Sequence, residues 1–345
     1  MQKDLYDTEE VARADMATIW SRALYGGLGR WIDREDDDGG KDDDGDGMSN
    51  ETEEVMKSIY KSSQAIVSVF DFYASTDVDS PYDMGMNDFK LFVGQCGLGS
   101  REHTTCKLSD IDQTWVAINA KSKRLEMLAD QQAKAGLRAP VRRAAVQDTD
   151  TTSLSIDEFV QMLVRIATMR FVHSGELHDV SEAVERLMDS IICPSVDQRL
   201  LSSQNNFRRT FLYTPAVDAV LWSHVSSLRA MFGSLQRNDG GRASTMMTLE
   251  SWMEFVRRLE LLGTDLTERD ATLSFMWSRM AVPNRYSDMG QAKTRHLPFE
   301  GFLEGLVRLS AVKALPTDEE VAVETLNALP DRITGRPHSY HWPPA

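Results

Sequence analysis

Residues 154–167 read LSIDEFVQMLVRIA, and residues 297–310 read LPFEGFLEGLVRLS, 143 positions later. Five of the fourteen positions are identical: Leu154/Leu297, Phe159/Phe302, Leu163/Leu306, Val164/Val307 and Arg165/Arg308. Ile156/Phe299 and Ile166/Leu309 keep their apolar character. In the first copy Leu154, Ile156, Phe159, Leu163 and Ile166 begin two apart, then open to three and four. Such spacing predicts a short extended pair running into an amphipathic helix. Upstream, MGMNDFKLFV (84–93) matches MTLESWMEFV (247–256). Between these blocks, LSDIDQTW (108–115) matches LTERDATL (266–273), and Ser109-x-x-Asp112 and Thr267-x-x-Asp270 read as helix caps. Three matched blocks in one order identify a duplicated unit.

Each unit also has an entering helix, IVSVFDFYA (66–74) and LRAMFGSL (228–235), with apolar residues at helical spacing. Helix, loop, short extended pair and helix, with a carboxylate at the turn, resemble the EF-hand superfamily over roughly 64–168 and 226–311. The resemblance implies an all-α fold: two EF-hand-like helix–loop–helix pairs joined by a helical linker, with disordered acidic and C-terminal segments. The phrase FRRTFLYTPAVDAVLWSH (207–224), followed by an entering helix and LTERDATLSFMWSRM (266–280), resembles EF-hand-like proteins of protist and algal cilia. That implies a cytoplasmic, cytoskeletal or ciliary setting.

The expected organisation is an N-terminal helix (1–32), an acidic disordered segment (33–54) and pair 1 (55–168, with an insertion at about 119–150). A helical linker (169–225), pair 2 (226–311) and a tail (312–345) follow. Residues 4–32 place Leu5, Val11, Met16, Ile19, Trp20, Leu24, Leu28 and Trp31 toward one side, so this helix is expected to dock on the first pair, the alternative being a partner. Residues 54–75 are expected to form one further helix. Within the insertion, Lys123–Ala135 read as helix. In the tail, Thr317 caps a short acidic helix through Leu326.

The net charge is −15, from 38 basic and 53 acidic residues, and residues 33–54 alone hold twelve acids and two bases. The rest of the chain is close to neutral and carries no basic stripe, which argues against nucleic-acid binding. No apolar run reaches the about 18 residues of a membrane span. The acidic, polar N-terminus does not read as a signal or transit peptide. Three cysteines, Cys96, Cys106 and Cys193, fit a reduced intracellular protein.

Metal-ligating candidates follow from carboxylate spacing. Asp42, Asp44, Asp46, Gly47 and Glu53 fit the calcium-loop pattern: alternating acids, a turn glycine and a closing bidentate acid suit a hard cation. Ser49 stands where an apolar residue normally pairs with a partner loop. Counting back from Asp88 as the twelfth position puts Asp77 first, Asp79 third, Pro81 fifth and Tyr82 sixth. Alternatively that loop starts at Asp71 and is 18 residues long. Before Glu158, the in-register positions are Gln147, Thr149 and Thr151, poor ligands. In pair 2 the loop from Gly233 to Ser251 is long, and Gly301 stands in place of the bidentate acid. These two loops are expected to bind no calcium.

No phosphate loop, Gly-x-Ser-x-Gly elbow or His-Glu-x-x-His motif occurs, and no reaction is indicated. The expected function is therefore a non-enzymatic interaction scaffold or adaptor. Its partner would be a protein, either an amphipathic helix or a cytoskeletal component, and Met84, Met86, Met162, Met247 and Met253 could line an adaptable groove. The alternative is a calcium sensor using loop 42–53 or 77–88, with calcium as the single candidate cofactor.

Overall fold

A computed structural model describes residues 3, 7–35, 49–77, 80–99, 104–120, 153–236, 238–239, 242–243 and 245–313. The centre of the acidic run, the insertion with its expected helix and the tail lie outside these residues.

The described chain is predominantly helical, with six two-residue strands. Helix α1 (Glu9–Tyr25) starts at Thr8, whose hydroxyl accepts the Val11 N–H, and stops at Gly26. Gly27 then turns the chain with φ +88°, a conformation that favours glycine, and α2 (Leu28–Glu35) follows. The expected single helix over 4–32 is thus two, broken at the glycines. Ser49 caps α3 (Asn50–Lys61), and α4 (Ser63–Ala74) restarts after Ser62, so the helix expected over 54–75 is also two. Both ends of the segment expected to be disordered, 33–35 and 50–54, are helical.

Strand β1 (Met84–Gly85) and α5 (Met86–Gln95) come next, then α6 (108–120), β2 (Ser153–Leu154) and α7 (Ile156–Ala167). α8 (Val180–Leu187) precedes short helical turns that end in the π-helical turn Arg208–Leu212. α9 (Pro215–Ser223) and α10 (Val225–Leu235) lead to the hairpin of β3 (Asn238–Asp239) and β4 (Arg242–Ala243). β5 (Met247–Thr248), α11 (Leu249–Arg258), α12 (Glu268–Trp277), α13 (Asp288–Arg295), β6 (His296–Leu297) and α14 (Phe299–Val312) complete the described chain.

The matched sequence blocks occupy matched places. β1 pairs antiparallel with β2 through Met84 and Leu154, and β5 pairs with β6 through Met247 and Leu297. Each strand pair ties two helix–strand–helix segments together. The repeated aromatic residues meet in the same way in both units. Phe159 lies 5.6 Å from Phe70 and 5.3 Å from Phe92. Phe302 lies 5.5 Å from Phe232 and 5.6 Å from Phe255. Phe89 faces Trp115 at 4.9 Å, and Trp252 faces Phe275 at 6.5 Å. The identity at 159 and 302 therefore marks the hub of each core, where aromatic burial contributes most.

The central repeat block needs a two-residue correction. Asp110, not Asp112, accepts an N–H at the start of α6, from Lys107 at 2.9 Å. Thr267 and Asp270 form the expected reciprocal cap on α12. Asp110 is thus the counterpart of Asp270, and Trp115 of Phe275.

α1 docks as expected, burying Met16, Ile19, Trp20 and Ala23 in the first core. Residues 169–225 do more than link. Val180, Val184, Leu187 and Met188 are buried in that core, and α8 lies along α3. The methionines fill cores rather than line a groove: Met84, Met162, Met247 and Met253 are buried, and Met86 packs partly buried on the first core. Among the described residues no helix is long and apolar enough to cross a membrane.

Candidate functional site

The sequence directs attention to the third residue of each helix that follows a strand, since that residue would close a twelve-position cation loop. All four have another task. Asp88 Oδ2 accepts the Gly85 N–H at 3.2 Å. Glu158 Oε2 accepts the Ser155 N–H at 2.8 Å and its hydroxyl at 2.9 Å. A first-turn carboxylate belongs there because the opening N–H groups of a helix lack intrahelical partners and carry partial positive charge. Burial pushes the Asp88 carboxyl above its ordinary range, although the Gly85 N–H opposes the shift. Ser251 donates its N–H to the capping Thr248 hydroxyl at 3.1 Å.

Gly301 is the fourth. A Cβ there would stand 2.8 Å from the Ser278 carbonyl oxygen and 3.1 Å from Leu297 Cδ2. The chain leaving α12 occupies the space a carboxylate would need.

The remaining ligand candidates are dispersed. Asp77 Oδ1 accepts the Ser80 N–H at 3.4 Å, while Asp79 lies outside the described residues. Asp42, Asp44 and Asp46 are outside them too. Glu53 is the fourth residue of α3, one later than Asp88 and Glu158 in their helices, and pairs with Lys57 at 2.8 Å. Among the described residues one carboxylate trio, Glu51, Glu54 and Asp179, has oxygens within 4.8 Å of one another. Two of its members already serve α8: Glu51 accepts the Ser181 N–H at 2.9 Å and Asp179 the Glu182 N–H at 2.8 Å.

The densest chemistry lies between the two units and was not singled out from sequence. Residues 278–295, in the place of the last loop, hold four basic residues and one acid. They face carboxylates of the first unit and α1. Arg279 Nη2 meets Asp71 Oδ2 at 2.6 Å, so the acid considered as a loop start is an ion-pair partner instead. Arg285 donates from Nε and Nη2 to Asp15 Oδ2 at 2.9 and 2.5 Å. The Tyr286 hydroxyl donates to Asp157 at 2.8 Å, and the Arg22 guanidinium stacks 4.1 Å from its ring centre. Burial pushes the Tyr286 hydroxyl well above its ordinary value, with Asp157 adding to the shift. Arg269 caps the Phe72 ring at 3.9 Å and donates to the Phe72 carbonyl at 2.8 Å. Tyr82 returns the contact, donating to the Arg295 carbonyl at 3.1 Å.

A second cluster centres on Glu304, fully buried in α14. Lys3 Nζ approaches it at 2.7 Å, Arg208 Nε at 3.0 Å and Arg308 Nη2 at 2.6 Å. Arg208 also pairs with Asp7. Burial pushes the Glu304 carboxyl up, but Lys3, Arg308 and Arg208 outweigh it and hold the group below its ordinary value. Burial lowers Lys3 from 10.5 to about 8, with Arg208 and Arg308 adding to the effect. A cleft of about 600 Å³ opens beside both clusters, between α1, α4 and the chain after α12. Its Arg208, Arg279 and Arg285 are paired with acids, which leaves these three committed to the fold.

The thiols are quiet. Burial raises Cys96 to about 12 and Cys106 to about 11, so neither forms a thiolate at neutral pH. The sequence signal for the junction was available in the inverted charge of 278–295. The signal for Glu304 was a Glu–Arg pair, four apart, on the otherwise apolar repeat helix. Comparison with protein-family models, curated proteins and solved structures returns no match.

Proposed function

We propose that this chain is a non-enzymatic, EF-hand-like scaffold that holds a protein partner and needs no calcium to fold. The observation that carries this reading is the employment of all four loop-closing positions. Asp88 and Glu158 cap helices, Ser251 belongs to a cap, and Gly301 touches backbone. The helices and strand pairs of such a repeat persist because aromatic packing around Phe159 and Phe302 holds them. A protein partner, whether an amphipathic helix or a cytoskeletal component, fits the exposed apolar surface of α9, where Trp222 is 76% and Val220 59% exposed.

Calcium titration by calorimetry, with magnesium as competitor, tests the metal part. The expected result is no saturable heat at millimolar calcium, and one melting temperature in calcium and in chelator. A tight site would instead stabilise the chain, by about 2.7 kcal/mol at a hundredfold excess over Kd. Tight binding abolished by Glu53→Gln would replace the scaffold with a sensor using loop 42–53.

A further inference from the structure

α9 is the most apolar exposed element of the described fold. Its sequence, PAVDAVLWS, contains one charged residue, and none of its nine residues is buried. Thr214 caps it, accepting the Val217 N–H, and Pro215 takes its first position. Among the described elements it packs chiefly on the turn Arg208–Leu212 that precedes it. Val217, Val220, Leu221 and Trp222 belong to neither core. Phe211, at the foot of the helix, is 51% exposed.

We propose that in the free chain this face is covered by the chain's own residues 317–329, TDEEVAVETLNAL. The proposal rests on the reading of α9 as the partner-docking surface and adds its regulation: the tail and the partner compete for one site. Three observations select this occupant. First, the segment has the right pattern. Pro316 and Pro330 bound it, Thr317 is a cap, and Ala322, Val323, Leu326 and Leu329 fall on one side at helical spacing.

Second, the charges complement. The segment carries Asp318, Glu319, Glu320 and Glu324 and no base. Outside the buried Arg208, residues 209–236 carry Arg209 and Arg229 against Asp218 alone. Third, the chain is in reach. α14 passes the foot of α9 and ends about a turn further on: the Arg308 guanidinium lies 4.2 Å from the Phe207 ring centre, immediately before the turn that carries α9, and Lys313 pairs with Asp265 at 2.9 Å. Arg308 to Lys313 spans about 7–8 Å at helical rise. The four residues from Lys313 to Thr317 extend about 13 Å, more than that rise, so the tail can return to the foot of α9 without unpacking α14.

Hydrogen–deuterium exchange on the full chain tests this, comparing wild type with the double variant Leu326→Asp/Leu329→Asp at two protein concentrations. The expected result is about ten-fold or more faster exchange over 215–223 in the variant, independent of concentration, with 156–167 unchanged. Trp222→Ser should reciprocally speed exchange over 317–329. Unchanged exchange at 215–223 in the double variant, with the fold intact, would overturn the proposal. So would protection that grows with concentration alongside a dimer in sedimentation, since a second copy would then be the occupant. The calcium titration does not depend on the tail, so failure here leaves the metal-free scaffold standing.

Discussion

Glu304 shows what one buried carboxylate does when three cations converge on it. Its side chain has no exposure, and those of Lys3 and Arg208 have 4% and 1%. Removing the negative charge leaves buried cations without their partner, a change that typically costs about 3–5 kcal/mol. Glu304→Gln should therefore lower the unfolding free energy read from urea titration by an amount in that range, whereas Lys61→Ala, which breaks exposed pairs with Glu185 and Asp189, should cost well under that. The pH dependence has two arms. Glu304 is held below its unfolded value, so its contribution is present above pH 4.5 and is lost as pH falls through the folded value. Lys3 runs the other way. Its folded value of about 8 lies below 10.5, so between these the unfolded chain holds the extra proton and stability gains with rising pH. Lys3→Met should remove that gain from urea titrations at pH 8 and 10. Gly301 supplies a second test. Gly301→Glu restores the acid of the loop pattern, yet its Cβ meets the Ser278 carbonyl, so it should destabilise by about 1–3 kcal/mol and confer no calcium binding.

Within the helices and strands, the duplication has energetic content. Phe159 and Phe302 each join an entering helix, the helix after the first strand, and their own helix. Truncating either to Ala should cost about 3–5 kcal/mol, similarly in both units, read from urea unfolding. A much smaller cost at one of them would mean that its core collapses around the void. The repeat was legible because residues that pack on both sides leave a periodic apolar signature. Phe70, Phe92 and Phe159 stand at helical positions and recur as Phe232, Phe255 and Phe302. The strand pairings Met84–Leu154 and Met247–Leu297 fall within the same matched blocks. Helix breaks were less legible. Gly26 and Gly27 interrupt an apolar spacing that continues to Leu28 and Trp31, so the spacing reads through the break, and nothing local announces the break at Ser62. The cap of α6 was misplaced because Lys107 has no capping oxygen of its own, and the reciprocal bond comes from Asp110 alone. The candidate metal positions were legible as positions but not in what they do, since a carboxylate in a first turn suits a helix cap as well as a cation.

Across the whole molecule, the two units behave as neighbours that have exchanged residues. Tyr82 of the first unit packs against the second core, while Trp277 and Tyr286 of the second pack against the first. Around these rings sit Arg279 with Asp71 and Arg285 with Asp15, each at most about a fifth exposed. Such pairs are sheltered from salt and solvent, and losing one partner strands the other charge. No linear pattern could have placed Asp15 opposite Arg285, because their 270-residue separation is closed only by the packed fold. If these ion pairs couple the units, Arg279→Ala with Arg285→Ala should leave each core intact and split thermal unfolding into two transitions. The van't Hoff enthalpy would then fall below the calorimetric one, the sign that units no longer melt together. Arg285→Lys should do part of this damage, since a lysine cannot reproduce the paired N–H donors that Asp15 Oδ2 now accepts. A single sharp transition in the double variant would assign the coupling to Tyr82, Trp277 and Tyr286 instead. Tyr286→Phe then separates the two contributions of that residue, because it keeps the ring beneath Arg22 and removes only the hydrogen bond to Asp157.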